Sequence, residues 1–351
     1  MSSKLRIAVV ANANSIHTIR WVNWLRQQEH KVTIFSLNEA EDCIYFGPEP
    51  PLDRSLIFNL GKNVRKTTSE LQSKIDEFKP DIVHGFFLVN HGMYASRIEG
   101  YPKVMTAMGS DILIAPKESK LLSWIVKKAI KNSDSIFGPP LLVDEIEKWN
   151  LNTELNENII GIDCSIFKPS EKTKTIVFAR GFKEVYNPIV VSKAIEVLSS
   201  KLDNYEFILC GDGPLKPESE RILSYCKNVQ FTGQINETKL AEIIGKAELV
   251  LSPSLSDSIP LTILEAVASG TPVVASNIPA NQKWVDRKLP VFLFKTEDSE
   301  SLVEEILKVI KDDSILENAV KTGPNLIKEK YRWEKEAEKV LKKYVDLVTS
   351  N

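Results

Sequence analysis

Short β-branched runs alternate with longer stretches of helical period along most of the chain, and that alternation is the pattern of parallel sheets flanked by helices. Compact apolar runs predict strands at residues 5–11, 31–36, 81–85, 103–107, 135–137 and 158–160, then a second series at 175–178, 205–210, 229–232, 249–251, 272–275 and 291–293. Two such series predict an α/β chain of two doubly wound domains, residues 1–165 and 166–329, facing each other across a cleft. The polar, proline-containing passage 161–175 suits a linker between them. A charged amphipathic helix is expected from about 333 to 349, with residues 330–351 packing back on the first domain.

Length agrees with this division. At 351 residues the chain exceeds the roughly 250–300 residues that one core usually serves. With 43% hydrophobic and 26% charged residues and a net charge of −2, it reads as an ordinary globular protein with no electrostatic case for nucleic acid. Cys43, Cys164, Cys210 and Cys226 lie far apart, without metal-ligand spacing, which suits reduced thiols in a cytoplasmic protein. The first apolar run, residues 7–11, meets Asn12 and Asn14 at once, so it reads as a strand and not as a signal peptide. No apolar stretch approaches the roughly 20 residues that span a bilayer. Any membrane contact is therefore expected to be peripheral, at the inner face.

In doubly wound sheets ligands bind beyond the carboxyl ends of the strands, so candidate chemistry is sought in those loops. The stretch from Ser252 to Ala275 places Asp257 in a turn and Glu265 inside a helix expected to open near Leu261, with Asp257 or Ser258 as cap and Pro260 in its first turn. Such a helix start attracts phosphate, and a carboxylate one turn inside can accept hydrogen bonds from a ribose diol. Three further loops fit the same ligand. Arg180, just past a strand end, can neutralise a diphosphate, with Lys183 following it; the alternative is a plain surface arginine. Gly211-Asp212-Gly213-Pro214 allows close backbone approach, and is equally a simple turn. Gln234 and Ile235 offer backbone to a nucleobase edge.

The first half presents His17 after the first strand, His84 at the end of Pro80-Asp-Ile-Val-His84, and Asp111 in Gly109-Ser-Asp111. Each histidine is either an acid–base group or a structural hydrogen-bonder; Asp111 either faces a ligand or caps the next helix. The segment 118–131 combines an apolar face with several lysines. It is a core helix with a solvated basic face, or one that also rests on anionic lipid.

Taken together, several of these motifs carry a family resemblance: Asp257-x7-Glu265 with Ala266-Val-Ala-Ser-Gly270-Thr-Pro-Val-Val-Ala275, Gly211-Asp-Gly-Pro214, Pro80-Asp-Ile-Val-His84, Gly109-Ser-Asp111 and Gly161-Ile-Asp163-x3-Phe167-Lys-Pro169. In order and spacing the chain resembles a family 4 retaining glycosyltransferase of the GT-B fold, with two Rossmann-like domains. The resemblance implies hexosyl-type transfer from a nucleoside-diphosphate sugar to a glycan or lipid-linked hydroxyl acceptor, in polysaccharide, glycolipid or glycoconjugate synthesis, without a metal or other cofactor. It assigns the ribose to Glu265, the donor sugar to Asp257 and the diphosphate to Arg180 with the backbone at Leu261 and Thr262. Ser258, Ile259 and Pro260 fall beside that donor, and His17, His84 and Asp111 on the acceptor side. The chain departs from the common pattern where Asp257 replaces a glutamate, where Pro260 stands for a glycine, and where Val185-Tyr186-Asn187 occupies the place of a second basic residue. Two other readings remain open at this point: a GT-B sugar-nucleotide epimerase, and a non-catalytic nucleotide-sugar-binding partner. A dinucleotide dehydrogenase is disfavoured, because no Gly-x-Gly-x-x-Gly follows the first strand.

Overall fold

A computed structural model describes residues 4–48 and 63–350. The chain divides into two compact units: unit 1 comprises Met1–Ile160 with Glu336–Asn351, and unit 2 comprises Gly161–Lys335.

Unit 1 carries β1 (Arg6–Val10), α1 (Ile16–Gln27), β2 (Lys31–Ser36), β3 (Ile44–Tyr45), α2 (Asn63–Phe78), β4 (Ile82–Phe86), α3 (His91–Ala95), β5 (Lys103–Thr106), α4 (Ser110–Leu113), α5 (Ala115–Glu118), α6 (Lys120–Lys131), β6 (Ser135–Gly138), α7 (Pro140–Glu147) and β7 (Glu154–Glu157). Its strands pair in parallel in the order β3-β2-β1-β4-β5-β6-β7. The inner strands are apolar nearly throughout because helices cover both faces of the sheet. On one face Val10, Phe35, Val83 and Met105 join Leu71, Ile75, Met93 and Ile125 in a common core. The strand expected at 158–160 lies instead at Glu154–Glu157. That edge strand is polar and half-exposed, so it lacks an apolar run. Ile159, which supplied the run, is buried as loop, its N–H donating to Glu336 Oε2 at 3.0 Å.

Unit 2 carries β8 (Thr173–Ala179), a 3₁₀ turn (Glu184–Tyr186), α8 (Pro188–Ser199), β9 (Glu206–Cys210), α9 (Lys216–Ile222), β10 (Val229–Gly233), α10 (Glu237–Lys246), β11 (Ala247–Ser252), α11 (Leu261–Ala268), β12 (Val273–Ser276), α12 (Pro279–Asp286), β13 (Val291–Phe294), α13 (Ser299–Lys311) and α14 (Asp313–Lys330). Its parallel sheet runs β10-β9-β8-β11-β12-β13. One helix layer packs α8 against α9 and α13, and the other packs α11 against α10 and α14. The passage expected as a linker is ordered by close packing at both ends. Gly161 has φ +75, and a Cβ there would lie 2.7 Å from the Trp333 Cα. Lys172 points its ammonium at the carbonyls of Gly245 and Ser269, both at 3.0 Å. The last helix, α15 (Trp333–Thr349), starts in unit 2, and from Glu336 onward its residues belong to unit 1.

Candidate active site

In unit 2 the strand order reverses between β8 and β11, which are neighbours. Their following helices, α8 and α11, enter opposite layers, so the two outgoing loops diverge at the place where doubly wound sheets take ligands. Those loops are residues 180–187 and 253–260. They are stitched together where the Leu255 N–H donates to the Val185 carbonyl at 2.8 Å.

Arg180 and Asp257 meet there as a hydrogen-bonded ion pair, their side chains only 13% and 12% exposed. The other carboxylate oxygen of Asp257 accepts the N–H groups of Ser258 at 2.8 Å and Ile259 at 3.1 Å. Asp257 therefore closes a turn ahead of the helix and does not cap it; a short acidic side chain reaches the nearest N–H groups first. The Arg180 guanidinium lies over the Tyr186 ring, 4.3 Å from its centre. Four polar atoms at these strand ends are buried without a hydrogen-bond partner: Arg180 Nε, Asn187 Nδ2, Ser252 Oγ and Ser254 Oγ. Unsatisfied buried polar groups cost about 1–3 kcal/mol each, so their clustering marks a place where a polar ligand would be rewarded.

Helix α11 begins at Leu261 with Pro260 at its N-cap, and no side chain caps it. Pro260 thus precedes the first turn that it was expected to occupy. Thr262 ties the helix start to the end of β8, its hydroxyl 3.4 Å from the Ala179 carbonyl. Six of its eight residues are buried, and the two half-buried ones, Leu261 and Glu265, are four apart and share a face. The helix ends where Gly270, at φ +69, and Thr271 donate to Val267 at 3.0 Å and Ala266 at 2.9 Å, a left-handed closure that glycine adopts without strain.

The glycine loop packs directly on the arginine loop. Added Cβ atoms at Gly211 and Gly213 would lie 2.7 Å from the Arg180 carbonyl oxygen and 2.6 Å from that of Phe182, so side chains are excluded there. Asp212, Lys183 and Gln234 are exposed. Ile235 lines a separate groove of 770 Å³ formed with Thr175, Glu206, Gln230 and Lys239.

The three candidates in unit 1 are not alike. His17 is half-exposed in the first turn of α1, and burial, then Arg20, lowers its pKa. His84 is buried; Nδ1 pairs with the Tyr344 hydroxyl of α15, and Nε2 lies 2.7 Å from Thr106 Oγ1. A neutral ring carrying its hydrogen on Nε2 satisfies both bonds, and burial pushes the pKa down to about 3. Asp111 is wholly buried and accepts the N–H groups of Leu88 at 3.0 Å, Met108 at 3.1 Å and Gly109 at 2.8 Å. Burial raises its pKa, and these backbone bonds oppose the rise. Neither presents a polar atom to an acceptor. Both brace the strand ends of unit 1 from within, so of the three expected acceptor-side residues only His17 is partly exposed. Sequence reasoning also missed Tyr186, whose only local signal is an aromatic six residues after the arginine.

Two doubly wound parallel units define the GT-B class of α/β proteins. Residues 165–326 match the family Glycosyl transferases group 1, and residues 6–138 match Glycosyl transferase 4-like. Both matched segments are those of glycosyltransferases, and together they take in most of the chain. Sulfoquinovosyl transferase SQD2 of Arabidopsis thaliana is 24% identical over 89% of this chain, which spans 66% of that relative's length. N-acetyl-alpha-D-glucosaminyl L-malate synthase of Bacillus anthracis is 21% identical over 86% of this chain and 84% of its own. Among solved structures, HepE of Anabaena in complex with UDP-glucose shares the fold with a TM-score of 0.74 at 13% identity, over 98% of this chain and 100% of its own.

Proposed function

We propose that this protein transfers a sugar from a nucleoside-diphosphate donor to a hydroxyl acceptor with retention at the anomeric carbon, as in polysaccharide or glycolipid synthesis. The observation that carries this reading is the meeting of Arg180 and Asp257 beside the open start of the helix that holds Glu265. Departure of the diphosphate is the demanding step. Preorganised positive charge from Arg180 and the N–H groups at Leu261 and Thr262 stabilises that leaving group, an effect worth about 3–4 kcal/mol per well-placed donor. Glu265 holds the ribose, Asp257 the donor sugar, and a donor phosphate oxygen takes the acceptor proton. No residue forms a covalent intermediate, and no metal takes part. His17 is the acceptor-side candidate.

Calorimetry with UDP-, GDP- and ADP-sugars tests donor binding, UDP-glucose first because the Anabaena neighbour is solved with it. Proton NMR of the first-formed glycoside then reads its anomeric configuration. An inverted product removes the retaining mechanism, and loss of turnover in a chelator removes metal independence. Donor consumption without any acceptor would favour an epimerase.

A peripheral membrane contact is part of the same reading. Trp124 of α6 is 52% exposed, with the Lys128 ammonium 5.0 Å from its ring centre. Lys117, Lys120 and Lys131 are also exposed, a composition suited to the headgroup region of anionic lipid. Among the described residues no helix is long and apolar enough to cross a membrane. Sedimentation with phosphatidylglycerol vesicles should fall as salt rises and fall severalfold in Trp124→Ala; equal pelleting of both forms would refute the contact.

A further inference from the structure

Arg180 is gripped from two sides. Beneath the guanidinium is the Tyr186 ring, 4.3 Å away, positioned by the 3₁₀ turn Glu184–Tyr186, by Asn187 in the left-handed region at φ 51 and by Pro188 opening α8. Its partner is Asp257, whose second oxygen takes the Ser258 and Ile259 N–H groups. The Asp257 carboxylate thus sits among one guanidinium and two backbone N–H groups, the donors that a phosphate oxygen also takes. Arg180 Nε is buried and has no partner of its own, so the guanidinium is only partly satisfied by this carboxylate.

We propose that Asp257 is an internal counter-ion for Arg180, that the donor's diphosphate displaces it from the guanidinium, and that Tyr186 is the positioning residue that keeps Arg180 in place while it changes partner. This rests on the reading above that Arg180 meets a diphosphate. The pair and the incoming phosphate compete for one cation, so the free protein binds diphosphate less tightly than its donor set alone would allow. Releasing Asp257 from the pair also frees an acidic oxygen for the donor sugar, which couples arrival of the diphosphate to engagement of the sugar. An aromatic face can hold a guanidinium without competing for its in-plane hydrogen bonds. That makes Tyr186 suited to a cation that exchanges anions, where a second basic residue would repel it.

The test is calorimetry of UDP, GDP and ADP against wild type, Asp257→Asn, Tyr186→Phe and Tyr186→Leu, with the last substitution repeated in an Arg180→Ala background. In Asp257→Asn the amide oxygen still accepts the two backbone N–H groups, so the turn ahead of the helix is kept while the negative charge is lost. That variant should bind the preferred nucleoside diphosphate at least threefold more tightly while transferring sugar more slowly. Tyr186→Phe should match wild type, and Tyr186→Leu should weaken diphosphate binding at least fivefold, but less than twofold when Arg180 is already alanine. If the Leu variant loses its fold, Tyr186→Gln repeats the measurement with a long side chain. Unchanged or weaker binding by Asp257→Asn overturns the exchange. An equal loss from Tyr186→Leu in both backgrounds overturns the positioning role. Absence of binding by wild type to all three diphosphates would instead overturn the donor reading, and this proposal with it.

Discussion

The strand ends around β4 and β5 in unit 1 lie beside the reversal of that sheet's order, between β1 and β4, and those around β8 and β11 in unit 2 flank the matching reversal, yet the two places treat polar groups in opposite ways. His84 has both ring nitrogens bonded, and Asp111 accepts three backbone N–H groups, all under complete burial. At the other sheet, Arg180, Asn187, Ser252 and Ser254 each keep a buried polar atom unbonded. A saturated network rigidifies its surroundings, whereas an incomplete one stores affinity for an outside partner. Equivalent topology therefore does not imply equivalent chemistry; what separates the two places is how fully the chain satisfies its own donors and acceptors.

The largest effect should come from breaking the incomplete side. Arg180→Ala is expected to lower kcat/KM by more than tenfold, toward the roughly 10²–10³ typical of a lost transition-state donor, while circular dichroism and the melting midpoint stay near wild type. Near-normal turnover would remove Arg180 from the mechanism. Substitution on the saturated side should do the reverse. His84→Ala leaves a void and removes one partner of the Tyr344 hydroxyl, so urea unfolding should show a loss of about 2–4 kcal/mol, and nucleoside-diphosphate affinity should remain within twofold. Tyr344→Phe should cost less, about 1–2 kcal/mol. A selective loss of affinity in either variant would make the contrast untenable.

The smallest effect is graded with pH. Burial holds His84 at about 3 and His91 at about 4, both below the ordinary histidine value of 6.5. Between those values the unfolded chain binds more protons than the folded one, so the stability contributed by the two neutral rings is complete above pH 6.5 and is lost as pH falls toward 4. The melting midpoint should be level from about pH 8 to 7 and decline below about 6.5. In His84→Asn the decline should be shallower; an unchanged slope would mean that His84 is not the group being protonated.

Both sheets were readable from the chain because parallel strands covered on two faces leave continuous apolar runs, and the helix carrying Glu265 was readable from Pro260 and Gly270. The polar edge strand β7 was not, since an exposed strand has no such run. Arg180 and Asp257 stand out separately as residues past strand ends, but their pairing across 77 positions depends on the adjacency of β8 and β11, which no local pattern states. The two roles weighed for His84 differ only in burial. That property is decided here by Tyr344, 260 positions away.

The course of the chain gives that distance a further meaning. Residues 161–335 form a complete unit inserted within the other, so on the ribosome the inserted sheet has its whole sequence in hand while the first sheet still waits for α15. Until residue 344 emerges, His84 lacks one of its two hydrogen-bond partners, and the face of the first sheet around it lacks its closing side chain. The earlier-made unit is the later to finish, and a nascent chain stalled before that helix is the form most exposed to premature degradation and to chaperone capture.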